Sequence, residues 1–362
     1  MTAAADSKAE TTPRTAAPDI HRFIREALAK VGLPDTDAET VAALMTRADV
    51  TGADAHGVFR LPQYIARIED GGIARRPDIT VTRTAPATAL VDGDNAMGHL
   101  VMSKVVDIAI DIAAETGVAW VGARRSNHAG PAALYVEKPV ARGMVGMYSV
   151  VASANHMPIW GGSETLLGTN PIAYGIPAGE EPPIILDIAT SVTSYGTIKT
   201  HVLNNEPLEE GWMVDRETGK PLTDPADVPK GLLLPIGGYK GSGICLVMGL
   251  LGGPLNRAAF GRDVVDFNAD SKAETNTGHF LIVLDVSRFL PIAEFKADID
   301  RHIRELRSSK LMPGHDQIRL PGEGRAARMA ERTAKGVPLS PPLLAKLGDL
   351  AKRLGIKPLA SG

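Results

Sequence analysis

The apolar pattern of this chain changes period twice, from helical to strand-like and back, and that order restricts the fold more than any other feature. Ile20, Phe23, Ile24, Leu28 and Val31 recur at intervals that place them on one helix face. Thr36 and Glu39 stand at capping-box spacing ahead of Val41, Leu44 and Met45, so a second helix is expected there. Toward the other end, Pro291 precedes Ile292, Phe295, Ile299, Ile303 and Leu306, and "SPPLLAKLGDLAKRLG" carries a cap, an early proline and a closing glycine. Between these ends lie short β-branched runs, "ITVTRT", "TALVDG", "VAWVGA", "MVGMYSVV", "PIILDIA" and "HFLIVLDV", alternating with helical stretches such as 98–115. The expected architecture is α/β: a helical domain from residues 19–77 and 291–362, with a mixed α/β domain, 78–290, inserted. Residues 1–18 read as a disordered arm, and 204–231, polar and rich in turn residues, as a long exposed excursion.

A chain of 362 residues can bury enough surface to fold without disulfides or metal, so its fold alone says little about chemistry. With 39 basic and 42 acidic residues, the net charge of −3 gives no general field for nucleic acid or an acidic membrane. The single cysteine, Cys245, has no intramolecular disulfide partner, and the N-terminus lacks the apolar core of a secretory signal. No apolar run is long enough to span a bilayer. A cytoplasmic protein with neither nucleic acid nor membrane as partner is expected.

Chemistry concentrates in a few segments. In "ADVTGADAHGVFRLPQY" His56 has the residue type for proton transfer near neutral pH, and Arg60 can hold a carboxylate through paired N–H donors. The plainer readings are a helix-end imidazole bonded to backbone and a surface ion pair. Asp54 cannot orient His56 if both lie on one helix, because residues two apart face different ways. "LLLPIGGYKGSGICLVM" runs from strand through glycines to helix, the order that presents backbone amides to a phosphate with Lys240 adding charge; a tight turn alone would also need the glycines. "RRSNHAGPAALY" puts Asn127 and His128 at a strand–helix junction, and "LDIATS" sets Asp187, Thr190 and Ser191 after a buried-looking strand. The GxGxxG fingerprint, Walker A, HExxH and GxSxG are all absent, so a metal centre and a serine hydrolase have nothing specific behind them.

Taken together, "GADAHGVFRLPQY", "VDGDNAMGH", "SNHAGPAALY", "WGGSETLLGTNPIAY", "LDIATS", "GGYKGSG", "NTGHF" and "LPGEGR" resemble the malate/L-lactate dehydrogenase family of the second type. That group includes ureidoglycolate and sulfolactate dehydrogenases, diketogulonate reductase and piperideine- or pyrroline-2-carboxylate reductases. The likeness covers about residues 20–355. It implies a non-Rossmann nicotinamide-binding fold, with NAD or NADP on an α/β domain beside a helical one, hydride transfer, and a homodimer whose subunits share active sites. It also implies His56 as the acid–base group, Asp187 as its helper in the imine-reducing branch, and Arg60 as the holder of the substrate carboxylate. His128 is implied as a proton acceptor or a cofactor contact, and Ser153 and Thr169 as substrate-side positions. Asp187, Ile188, Ala189 and Thr190, then Lys240 and Gly241, then Pro321, Gly322 and Glu323 are the implied cofactor contacts. Ala55 departs from the serine that relatives place before the histidine, and Asn155 and His156 depart beside Ser153.

The chemistry expected from this combination is reversible reduction of a small 2-oxo acid or cyclic 2-imino acid by NADH or NADPH. Two other readings use the same residues: a lyase forming a Schiff base on a desolvated Lys240, and a nucleotide sensor without turnover.

Overall fold

The computed structural model describes residues 12–360. In chain order its elements are β1 (Arg14–Thr15), α1 (Ala17–Lys30), α2 (Asp35–Val50), α3 (Leu61–Asp70), β2 (Thr80–Ala85), β3 (Thr88–Asp92), α4 (Gly98–Thr116), β4 (Val118–Ser126), α5 (Leu134–Ala141), β5 (Met144–Val150), β6 (Ile172–Ile176) and β7 (Ile184–Ile188). There follow α6 (Tyr195–Asn204), β8 (Met213–Asp215), β9 (Pro221–Leu222), β10 (Gly231–Leu233), α7 (Tyr239–Gly252), β11 (Thr277–Asp285), α8 (Ile292–Arg307), α9 (Glu323–Lys335), β12 (Val337–Pro338) and α10 (Pro341–Leu354).

The apolar face read at the N-terminus is buried as expected: Ile20, Phe23, Ile24 and Leu28 of α1 pack with Val41 and Met45 of α2, Tyr64 and Ile65 of α3, and Leu347 and Leu350 of α10. Each such side chain removed from water contributes about 1.5–3 kcal/mol. Both ends of the chain therefore share one core. Helix α8 takes no part in that core; Asp300 on it accepts from the amides of Gly179, Glu180 and Glu181 and so anchors it beside the sheet.

Three local expectations fail. Of the arm read over 1–18, residues 1–11 lie outside the described residues, whereas Arg14–Thr15 pairs antiparallel with Val337–Pro338 and Thr15 is buried. The capping box does not form, because α2 starts two residues earlier than a Thr36 cap would place it, at Asp35 after Pro34, and Glu39 turns to His21 at 3.0 Å. The excursion at 204–231 is largely exposed as expected, but it is a built subdomain and not an irregular loop: β8 lies between β9 and β10, and Leu208, Met213 and Leu222 join a cluster with Ile198, Leu233 and Cys245.

The main sheet has the order β2-β3-β4-β11-β5-β6-β7, and β3–β4 is its one parallel pair. Strand β11 enters between β4 and β5, with Leu281 opposite both Val121 and Tyr148. Val101, Val105 and Ala109 of α4 cover this sheet together with Tyr135 and Val136 of α5. Mixed α/β architecture is what the alternating periods imply; the largely antiparallel pairing is not the all-parallel ladder of consecutive βαβ units.

Candidate active site

His56 lies on a short 3-10 turn, Asp54–His56, between α2 and α3. The glycine after it is a steric necessity, since a Cβ at Gly57 would sit 1.8 Å from Asp49 Oδ1. Asp49 is fully enclosed, its Oδ2 accepts from the Val58 amide at 2.9 Å, and burial pushes its pKa up to about 8. Asp54 is turned outward to Arg332 of α9, which also donates to the Asp49 carbonyl at 2.6 Å. Arg60 Nε donates to the Ala55 carbonyl at 2.9 Å. Three contacts thus fix the turn, and none of them uses the His56 ring.

That ring stacks parallel to His128, with centroids 5.2 Å apart and His56 Nδ1 3.2 Å from His128 Nε2. His128 follows β4 and is held there by Asn127, whose buried amide donates to Asn95 and Ala96 and whose Oδ1 accepts from Thr275. His128 Nδ1 lies 2.6 Å from Tyr64 Oη and accepts a long bond from the Gly130 amide at 3.4 Å. A backbone N–H can only donate, so Nδ1 is the acceptor and the Tyr64 hydroxyl donates to it as well. His128 then carries its proton on Nε2 and gives that hydrogen bond to His56 Nδ1. The neutral His56 is left with its proton on Nε2, which has no protein partner among the described residues.

These groups line one cavity of about 150 Å³, together with Arg60, Ser153, Thr169, Ala55, His156, Tyr195, Lys199 and Asn268. Burial, with the Arg60 charge second, holds His56 down at about 4. Burial first, then the neighbouring histidines and Arg60, holds His128 well below its ordinary value. Both rings are neutral at pH 7. Arg60 Nη1 donates to Gln63 Oε1 at 2.8 Å and Asn268 Oδ1 at 3.2 Å; among the described residues it forms no ion pair, and Nη2 has no protein partner. The loop carrying Phe267 and Asn268 is tied down by the buried Arg67, which donates to the carbonyls of Asp270, Gly72 and Ala273.

The structure therefore gathers His56, His128, Arg60, Ser153 and Thr169 at one place. Asp187 stands apart from the cavity: its Oδ2 accepts from the Ala133 amide at 2.8 Å, and no bond joins it to His56. Its carboxylate is solvent-reachable yet crowded by protein, and that crowding raises its pKa. Ala55 places a methyl at the cavity wall, so no proton passes through that position.

The remaining positions form a continuous track leading away from the cavity. Thr190 donates to the Thr169 carbonyl through both N and Oγ1, and the Thr190 carbonyl accepts from Ile236. Beyond Ile236 the chain turns through Gly237 and Gly238, at φ 58° and 64°, into α7, where Lys240 is exposed. A Cβ at Gly241 would lie 1.9 Å from the Ile236 carbonyl oxygen, so only glycine lets the helix begin this close to the incoming strand. First-turn amides of a helix have no partner within it, and with an exposed lysine they suit a phosphate. On the other side, the Pro321 carbonyl accepts from Ile185 of β7, and Glu323, the first residue of α9, accepts from Leu320 N at 3.1 Å while paired with Arg307. Asp187, Ile188, Ala189 and Thr190 thus run between the Lys240–Gly241 and Pro321–Glu323 segments. The exposure of Lys240 corrects the expectation that apolar groups enclose it, which the Schiff-base reading required.

Sequence reasoning passed over Tyr64, Lys199 and Asn268. Tyr64 had a signal: it falls on the apolar stripe of α3 with Leu61, Ile65 and Ile68, four residues after Arg60, and brings a hydroxyl to that buried face. Lys199 and Asn268 reach the cavity only through long-range folding.

The chain matches the family described as malate/L-lactate dehydrogenase over residues 15–348. It is 36% identical to malate dehydrogenase from Pyrococcus horikoshii over 348 residues, 93% of this chain and 94% of that protein. It is 31% identical to ureidoglycolate dehydrogenase (NAD(+)) from Escherichia coli K12, covering 88% and 90% of the two chains. Among solved structures, malate dehydrogenase from Entamoeba histolytica superposes with a TM-score of 0.91 at 28% identity, over 96% of this chain and 99% of that one.

Proposed function

The chain belongs to the malate/L-lactate dehydrogenase family, and from that premise we propose that it interconverts a small 2-oxo acid and its 2-hydroxy acid, or reduces the corresponding cyclic 2-imino acid, with His56 as the acid–base group. It is an oxidoreductase, with relatives named for NAD(+) or NADP(+) as cosubstrate. The observation that carries the reading is the cavity in which His56 Nε2–H and a guanidinium without a carboxylate partner face the same small space.

Arg60 binds the reactant carboxylate through its free Nη2, which fixes the adjacent carbonyl or imine carbon relative to His56. When bound, reduced nicotinamide supplies a hydride to that carbon. His56 Nε2–H donates to the carbonyl oxygen; as charge develops there this proton passes to the oxygen while the His128 Nε2 proton passes to His56 Nδ1 and the Tyr64 hydroxyl proton to His128 Nδ1, so that neither ring becomes an anion and Tyr64 is reprotonated from solvent. Nδ1 receives the hydrogen bond from His128, and Tyr64 fixes His128, so the ring cannot turn its bare nitrogen to the reactant. An imine is reduced in its protonated form, and the same ring then places the proton on nitrogen. Asp187 acts on this group only through the segment it supports, by holding the Ala133 amide. Lys240, Gly241 and the Gly237–Gly238 turn take the phosphates, and Ile188, Ala189, Thr190 and Pro321–Glu323 flank the rest of the cofactor on this largely antiparallel, non-Rossmann sheet.

A screen of the purified protein with NADH and NADPH against 2-oxo acids, and against cyclic imino acids formed with amines, is expected to show cofactor oxidation with at least one class. Saturable cofactor binding without turnover across both classes would replace this reading with the sensor.

A homodimer is part of the proposal. Helix α7 turns Gly241, Cys245, Gly249 and Gly252 inward, yet Ile244, Val247, Leu250 and Leu255 on and just beyond it are exposed. A helix apolar on all sides is normally covered on all sides, and a second copy of this face would cover it beside the Lys240 turn. Sedimentation velocity is expected to show a dimer; a monomer at micromolar concentration would remove this part.

A further inference from the structure

We infer that Lys199 reads a second negative charge on the reactant, which makes the preferred substrate a dianionic 2-oxo or 2-hydroxy acid; this rests on the oxidoreductase reading and on Arg60 holding the first carboxylate. Lys199 stands on α6, lines the same cavity as His56 and Arg60, and also lines the larger groove that opens from it. Its Nζ lies 3.3 Å from Asn268 Oδ1, the atom that Arg60 Nη1 also reaches, at 3.2 Å. Two cations thus converge on one neutral oxygen at the edge of a small cavity.

The way they are held indicates a ligand. Several other cations meet acids, as in Arg47 and Arg325 on Glu137, Arg307 on Glu323 and Arg332 on Asp54. Neither Arg60 nor Lys199 has an ion pair among the described residues. The acid facing them, Asp266, makes none either; its Oδ1 accepts from Asn268 N at 2.8 Å and Nδ2 at 3.0 Å. That bond turns the Asn268 amide so that its oxygen points at the two cations. Gln63 does the same for Arg60, giving its nitrogen to the Phe267 carbonyl and its oxygen to the guanidinium. On α6, the Tyr195 ring stacks on His156, centroids 3.6 Å apart, and the Lys199 ammonium lies 5.6 Å from the Tyr195 centroid. Neutral amides and a ring are the groups that touch the two cations; burial and the Arg60 field lower the proton affinity of Lys199, and the Asp266 charge, which forms no ion pair with it, offsets this only in part. A reactant with an anionic group at each end would relieve that repulsion at both cations.

The test compares 2-oxobutanedioate with 2-oxobutanoate, which has the same carbon chain without the distal carboxylate. Wild type, Lys199→Gln and Lys199→Arg are assayed by steady-state oxidation of reduced nicotinamide. Wild type is expected to favour the dianion in kcat/KM. Lys199→Gln should lose about 10- to 100-fold on the dianion, mainly through KM, because a charge-assisted contact is lost, with little change on the monoanion, and Lys199→Arg should recover part of the loss. An equal loss on both reactants, or none on the dianion, overturns the inference. Turnover of 2-oxobutanoate alone by wild type overturns the inference and leaves the oxidoreductase reading standing; turnover of neither these nor any imino acid removes both.

Discussion

His56→Ala is expected to lower turnover by about 10²–10⁴-fold, the range for losing a positioned acid–base group, while leaving the KM for cofactor near its wild-type value. The variant should fold, because the turn is fixed by Asp49, Asp54, Gly57 and Arg60 and not by the imidazole. The pH profile gives an independent reading. In the free protein burial, aided by Arg60, holds the ring at about 4, so it is neutral from pH 5 upward and hydroxy acid oxidation should keep its kcat/KM down to that pH. Reduction through Tyr64, His128 and His56 starts from the same neutral ring, so its kcat/KM should show no loss at a histidine pKa between pH 5 and 8. Stopped-flow turnover of His56→Ala within threefold of wild type would reject the assignment.

Stability should fall steeply as pH drops from 6.5 toward 4. His56 is held at about 4 and His99 and His279 at about 3, each mainly by burial, and His128 also lies well below the ordinary 6.5. The unfolded chain takes up these protons as pH passes 6.5, while the folded chain does not until far lower. Their contribution is therefore complete above 6.5 and is lost as pH descends through the window between the unfolded and folded values. Asp49 works in the opposite sense: raised to about 8, it keeps its proton in the folded state, so its contribution is complete below 3.8 and is lost on the way up to 8. With His156, also held at about 4 by burial, five histidines stand against Asp49 and the likewise raised Asp187, which leaves about three to four protons, or about 4–5 kcal/mol per pH unit at pH 5. Against a total of about 5–15 kcal/mol, that slope unfolds the protein within a few pH units. Urea midpoints measured from pH 7 to 4.5 check this, and midpoints that stay level would contradict it. His99 isolates one term: it is fully buried, neither ring nitrogen has a partner among the described residues, and His99→Phe should reduce the slope by about one proton.

Much of the site was readable before the fold because its parts sit in short local segments. His56 and Arg60 share one turn, His128 closes a strand, and Ser153 and Thr169 lie on connections leaving strands. Their meeting around one cavity follows from β11 entering between β4 and β5, a pairing of residues far apart in sequence that no local period encodes. The same limit hid the strand directions. Alternating helical and extended runs read equally well as parallel crossovers, whereas the chain uses such a crossover once, from β3 through α4 to β4. The capping box at Thr36 failed for a local reason, since Pro34 already serves at the helix entry. Polar composition misled at 204–231, where Leu208, Met213 and Leu222 are spaced too widely to show a period yet suffice for a small core. Lys199 escaped notice because α6 carries little apolar patterning, and its side chain gains significance only once the distant Asn268 is brought up to it.

The bond from Arg332 to the Asp49 carbonyl and the Asp54 carboxylate bears on how the protein matures on the ribosome. His56 is translated well before the arginine that braces its turn. Nascent chains could pack α1 and α2 early and still lack a settled acid–base ring until α9 has cleared the exit tunnel. The geometry of this turn would then wait on α9, the element that supplies Arg332.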